Sequence, residues 1–182
     1  DEYALRLDKF AHYVVESMRT PDIIGVQEVE SQKVLDDLAA AINALHPWAL
    51  YEAHVVEGND IGTIDVGFLV RKWKVWFVQV EQLGADETYV NPDDSSLDLL
   101  HDRPPLLLKG WVGFIPLQVM VVHNRSLNGI ETARVQAKRL AQAESIAQKV
   151  QAIQSARHAP GLVVVGDFNA FEFTDGYVDA VG

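Results

Sequence analysis

The densest chemistry in the chain lies in Leu162-Val163-Val164-Val165-Gly166-Asp167-Phe168-Asn169. A β-branched apolar run ending in Gly-Asp-x-Asn sets a carboxylate and a carboxamide at the mouth of a buried strand. Side chains two apart on an extended segment point the same way, so Asp167 and Asn169 can converge on one small site. A carboxylate there can ligate Mg2+ or orient a water, and an amide N–H can donate to a phosphoryl oxygen. Gly, Asp and Asn are also common turn residues, so a plain turn is the competing reading.

Two further segments share this layout. Asp22-Ile23-Ile24-Gly25-Val26-Gln27-Glu28-Val29 is a short apolar strand running into a carboxylate. Mg2+ is usually held by one or two carboxylates with waters and substrate phosphate, which makes Glu28 a natural ligand. A solvated glutamate between strand and helix is the alternative. Val119-Met120-Val121-Val122-His123-Asn124-Arg125-Ser126-Leu127 closes an apolar strand with a histidine. His123 can protonate a leaving oxygen or hydrogen-bond a scissile phosphate near neutral pH. A structural histidine satisfied by backbone groups fits the same pattern.

The elements that must position these groups follow from hydrophobic period. Residues 2–19 place Tyr3, Leu7, Phe10, Val14 and Met18 at helical spacing, and Pro21 stops the run. Ile23 to Val26 reads as a strand, and residues 31–45 as a second helix with Ser31 as N-cap. Strands are expected near 49–54, 64–70 and 74–80, with the loop Glu57-Gly58-Asn59-Asp60 between the first two. The polar stretch 81–105, with Asp93-Asp94-Ser95-Ser96 and Pro104-Pro105, reads as a long loop. Strand character resumes at Leu106 to Leu108 and Phe114 to Val122, followed by a helix over about 131–156 and the strand at 162–165. Alternating helices and strands point to an α/β fold, and the absence of repeats to a single domain.

Composition narrows the function. The 182 residues are 48% hydrophobic, lack cysteine and carry a net charge of −11. Disulfides, thiolate metal sites and cysteine nucleophiles are excluded. No apolar run is long enough to span a bilayer. The acidic balance disfavours a tight nucleic-acid binder that works by phosphate neutralisation, but not a nuclease with a bound cation and a few local arginines.

Taken together, Gln27-Glu28-Val29, Val122-His123-x-x-Ser126-Leu127 and Gly166-Asp167-Phe168-Asn169-Ala170 resemble the endonuclease/exonuclease/phosphatase superfamily. Ile64-Asp65-Val66-Gly67-Phe68-Leu69-Val70-Arg71, Asp102-Arg103-Pro104-Pro105-Leu106 and Phe173-Thr174-Asp175-Gly176-Tyr177-Val178-Asp179 match as well, so the resemblance covers essentially the whole chain. Within the superfamily these segments are most similar to a branch of bacterial, often secreted, nucleases, which suggests an extracellular or cell-envelope site.

The resemblance implies a DNase I-like sandwich of two facing mixed β-sheets flanked by helices, and a metal-dependent phosphodiester hydrolase. It implies that Glu28 and Asp167 hold Mg2+, or Mn2+ or Ca2+ in its place. Asp167 would also orient or deprotonate the attacking water, Asn169 would contact the phosphate, and His123 the phosphate or leaving group. Arg103 falls where DNase-like members place a phosphate-contacting arginine; a surface arginine before a proline pair is its alternative. Asp65 is expected to begin a strand or hold a loop. DNA or RNA is the favoured substrate class. A phosphoinositide- or sphingomyelin-type phosphoesterase and a non-catalytic binding module of the same fold are the rivals. Relative to the family pattern, an Asn-bearing first strand and a terminal Ser-Asp-His are missing, so the chain is expected to be a truncated, inactive piece. Its open sheet edges are expected to favour a homodimer.

Overall fold

The computed structural model describes residues 2–170; the Phe173 to Asp179 match lies outside them. The first helix, α1 (Glu2–His12), widens into a π-helical segment at Tyr13–Ser17. The backbone then turns through left-handed positions at Arg19 and Thr20. The expected apolar stripe is buried only in part: Val14 faces the core beside Ala11 and Leu7 is half-buried, while Tyr3, Phe10 and Met18 stay exposed. The wider π turn can shift the phase only of Met18, which follows it; Tyr3 and Phe10 lie in the regular helix before it.

The strand β1 (Ile23–Val29) leads into α2 (Gln32–Leu45), capped as expected by Ser31, whose Oγ accepts from the Val34 N–H at 3.3 Å. Then come β2 (Tyr51–Val55), β3 (Asp65–Arg71) and β4 (Val75–Gln82). The stretch expected to be a long loop instead contains a hairpin, β5 (Thr88–Val90) and β6 (Leu97–Leu99). Each strand is only three residues long, too short for an alternation to register in the sequence. The hairpin is fastened to the third helix by tertiary contacts: Gln142 Nε2 donates to the Leu100 carbonyl at 2.9 Å, and Lys138 pairs with Asp102 at 2.8 Å. The chain continues through β7 (Leu106–Val112), β8 (Ile115–His123), α3 (Ala133–Gln154) and β9 (Gly161–Asp167).

Two sheets face each other. The first, ordered β1-β3-β2, is antiparallel; the second, β4-β7-β8-β9, is mixed, with β8 and β9 parallel. Between them, Val66, Phe68 and Val70 of β3 meet Leu106, Leu108, Val119 and Val121. Outside the first sheet, α1 and α2 pack over Ile24, Tyr51, Ala53 and Leu69; outside the second, α3 sets Ile146 and Val150 on Leu107, Met120 and Val122. Because both faces of β3 and β8 are covered, their sequences read as nearly unbroken apolar runs. Among the described residues β1 and β9 are edge strands, flanking an apolar cleft of about 560 Å3 lined by Met18, Ile24, Val119, Val163 and Val165.

Candidate active site

The segment β8–α3–β9 is a βαβ unit, the connection that parallel strands require, and it sets the carboxyl ends of both strands at the same end of the sheet. In that register His123 pairs with Asp167. Asp167 follows Gly166, whose φ of 131° and close approach to β8 exclude any other residue: a Cβ there would lie 2.0 Å from the Val122 carbonyl oxygen. The chain folds back on itself immediately afterwards. Asp167 Oδ1 accepts the Asn169 N–H at 2.8 Å, holding Asn169 at a left-handed φ of 49°. The Asn124 N–H donates to the Asp167 carbonyl at 3.0 Å, and Asn169 Nδ2 donates to the Asn124 carbonyl at 3.0 Å. One amide hydrogen of Asn169 is thus committed to the β8 loop, leaving the second for another acceptor.

Glu28 reaches this end of the molecule on β1. That strand crosses the second sheet closely enough that a Cβ on Gly25 would stand 3.1 Å from Val165. Near its carboxyl end the pairing with β3 slips between Val26 and Val29, and Glu28 adopts a φ of 58°. A bulge of this kind turns a side chain out of the strand's alternation, and a non-glycine residue in that conformation stores about 1 kcal/mol or more. Glu28 is exposed despite lying beside the buried Val29.

His123 is 7% exposed, and its Nδ1 is buried with no hydrogen-bond partner among the described residues. Burial lowers its pKa below the ordinary histidine range, and the positive charge of Arg103 lowers it further. Asp167, Glu28 and Asp60 act in the opposite direction. The net shift favours the neutral imidazole, which lies within the electrostatic reach of all four groups.

Arg103 is no surface arginine. It is largely buried, and its Nη1 donates to Asp60 Oδ2 at 2.7 Å. Asp60 belongs to the β2–β3 loop, which the sequence marks only as a connection. That loop is held by Asp65, the first residue of β3, whose Oδ1 accepts the Gly58 N–H at 2.8 Å. Asp65 thus both begins a strand and holds a loop.

A second participant without a sequence signal is Arg139 of α3. It donates to the Arg125 carbonyl at 2.6 Å and to the Asn169 carbonyl at 2.7 Å, bridging the loops that follow β8 and β9. Arg125 N–H is itself fixed by Gln142 Oε1 at 2.8 Å. Both helix residues sit among ordinary helix formers, and nothing in the local pattern separates them from surface positions.

Among the described residues no group of three or more His, Asp or Glu side chains is close enough to make a complete metal site. Glu28 and Asp167 are two exposed carboxylates near one buried histidine. That donor chemistry fits a hard cation that retains waters and takes further oxygens from a phosphate.

A family model described as Endonuclease/Exonuclease/phosphatase family matches residues 1–178. No curated protein matches the chain at a significant level. Among solved structures, truncated Caenorhabditis elegans TDP2 is 24% identical with a TM-score of 0.58, over 92% of this chain and 56% of that one. D. rerio TDP2 complexed with single strand DNA product is 20% identical with a TM-score of 0.59, over 94% and 56%. ANGEL2, a 2',3'-cyclic phosphatase, is 14% identical with a TM-score of 0.58, over 92% and 43%. At these identities the likeness is one of fold, and the chain spans little more than half the length of the first of these relatives.

Proposed function

The chain belongs to the endonuclease/exonuclease/phosphatase family, and on that premise we propose that it is the core of a divalent-metal-dependent phosphodiester hydrolase acting on DNA or RNA. The observation that carries the reading is the register pair His123–Asp167, with Glu28 turned out of β1 by its bulge toward the same end of the sandwich. A fold relative holding a single-stranded DNA product supports nucleic acid as the substrate class.

In this reading Glu28 and Asp167 would hold Mg2+, with Mn2+ or Ca2+ as substitutes, and the cation would neutralise charge at the phosphate and polarise it toward attack. Asp167 orients the attacking water or accepts its proton. Asn169 offers its uncommitted amide hydrogen to a phosphoryl oxygen. Neutral His123 donates a hydrogen bond to the phosphate or the leaving oxygen, a role that its lowered pKa suits better than that of a cationic acid. Arg103, preset by Asp60, adds positive charge on the phosphate side.

The test is turnover of single-stranded DNA, RNA and a simple phosphodiester by the full-length protein with Mg2+, Mn2+ or Ca2+. Chelation should abolish it, and Asp167→Asn should lower kcat on the order of 100-fold or more, because groups that act as a unit fail together. Turnover indifferent to both chelator and Asp167→Asn would overturn the assignment.

A further inference from the structure

The end of the sandwich opposite the candidate site carries an aromatic surface for which Glu28, His123 and Asp167 have no use. All four tryptophans of the chain, Trp48, Trp73, Trp76 and Trp111, are exposed there together with Phe77 and Phe114. Hydrogen bonds and strand register link the tryptophans to one another. The Trp73 indole N–H donates to the Trp48 carbonyl at 2.9 Å, and that of Trp76 to the Trp73 carbonyl at 3.1 Å. Trp76 and Trp111 are register partners across β4 and β7, and the Gly113 N–H reaches the Lys74 carbonyl, which lays the β7–β8 turn beside the β3–β4 turn. Strand direction places the surface. β3 ends beside the start of β1, and β8 begins at this turn and ends at His123. Roughly 25 Å of strand therefore separates it from the site.

Scattered exposed apolar residues are ordinary, but a contiguous set of large rings marks an interaction surface. Here the backbone itself holds the rings out. Phe77 sits in a bulge where β4 slips against β7 between Trp76 and Gln79, with a left-handed φ of 55°, and is 80% exposed. Phe114 stands at the tip of a two-residue turn behind left-handed Gly113 and is 92% exposed, with Ile115 next to it also in solvent. A strained non-glycine backbone that presents an apolar ring to water is a cost without return unless something covers the ring. Phe114 stands at a turn and Phe77 in a strand bulge, so a rigid protein partner would need a separate pocket for each.

Charge selects among the remaining occupants. Arg71-Lys72-Trp73-Lys74 puts three cations into four residues of a chain whose net charge is −11. Lys74 Nζ lies 4.3 Å and the Arg71 guanidinium 5.0 Å from the Trp73 ring centre. Arg71 already has Asp22, Lys72 has Glu52 and, further along the patch, Lys109 has Glu81. Among the described residues these pairs leave Lys74 as the cation of the run without an ion pair, too little free positive charge for the many phosphate contacts on which polynucleotide binding depends. An interface of lipid headgroups, where ring burial carries most of the attraction, suits the arrangement better: tryptophan rings at headgroup depth, Phe77, Phe114 and Ile115 reaching the acyl boundary, and Lys74 on a headgroup phosphate. We propose that this pole docks the protein peripherally on a lipid bilayer containing anionic headgroups, with the candidate site facing the water. No described helix is long and apolar enough to cross a membrane, so the contact is a surface one. Docked this way, the protein addresses substrate arriving from solution and not lipid of the same leaflet. The docking stands whether or not the chain cleaves phosphodiesters.

The experiment is sedimentation of the purified protein with vesicles of phosphatidylcholine alone and of phosphatidylcholine with phosphatidylglycerol, read together with tryptophan emission. Association should be stronger with phosphatidylglycerol, with emission shifted to the blue and quenched by brominated lipid. Phe77→Ser with Phe114→Ser should lower partitioning about tenfold or more, and Lys74→Glu should reduce the advantage of phosphatidylglycerol. Circular dichroism and thermal melting verify that these surface variants fold. Absence of vesicle association, or association that the double serine variant leaves intact, overturns the proposal. So does a dimer that the same variant dissolves, or tryptophan quenching by a single-stranded oligonucleotide, when vesicles are not bound.

Discussion

His123 and Asp167 are direct neighbours across the parallel pairing of β8 and β9, although the 22-residue helix α3 separates them in the chain. The pairing joins a buried imidazole with a depressed pKa to an exposed carboxylate. It also lets one helix residue, Arg139, bond the loops that follow both strands.

Glu28 occupies its left-handed position at a cost that glycine would not incur. Glu28→Gly is expected to leave the fold as stable or stabilise it by about 1 kcal/mol. The same change removes a carboxylate from the cation site. Thermal melting with and without Mg2+ reads both effects at once: the cation should raise the melting temperature of the parent protein and leave that of Glu28→Gly unmoved. An equal Mg2+ response in the two proteins would remove Glu28 from the cation site.

Arg139 holds Asn169 through a backbone carbonyl, which makes it a positioning residue for that carboxamide. Arg139→Gln should cost about 1 to 3 kcal/mol of stability, the range for a charge-assisted hydrogen bond lost in a part-buried site. It should also lower kcat about tenfold or more while KM changes little, because a displaced Asn169 is felt most in the transition state. Arg139→Lys should recover stability better than kcat, since lysine cannot span two carbonyls with a fixed fork. A fall in stability with kcat intact would reduce Arg139 to a structural tie.

Stability should fall in mild acid because of His101. This histidine is 1% exposed, with Nε2 3.1 Å from Ser145 Oγ, and burial holds its pKa down to about 4. Lys149 and Lys138 push in the same direction, while Glu87, 3.4 Å away, opposes them. The folded pKa lies below the unfolded one, so the unfolded state binds the proton first and the contribution of neutral His101 is complete above the unfolded value of 6.5. It is lost as pH falls toward the folded value, about 2 kcal/mol between about pH 7 and pH 5. Denaturant titrations at the two pH values should show that loss in the parent protein and a smaller one in His101→Gln. An identical slope in both would place the acid sensitivity elsewhere.

Much of the local structure was legible from residues alone. The helical spacing over 31–45 with Ser31 in front of it, the β-branched runs ending in Glu28, His123 and Asp167, and the glycine before Asp167 all report short-range physics: side-chain period, capping and backbone sterics. The tertiary structure decided the rest. Which strand lies beside which, and in what register, depends on contacts between residues far apart in sequence, and no local propensity encodes them. That is why the parallel match of His123 with Asp167, the burial that lowers the histidine pKa and the clasp between Arg103 and Asp60 emerge only in the folded molecule. The bulges that turn out Glu28 and Phe77 arise from slips against β3 and β7, and the hairpin within 81–105 exists because α3 gives its short strands a surface to bond to. The gathering of four dispersed tryptophans at one pole has the same origin. Strand direction, not sequence neighbourhood, carries Trp48, Trp73, Trp76 and Trp111 to the end of the sandwich farthest from the site.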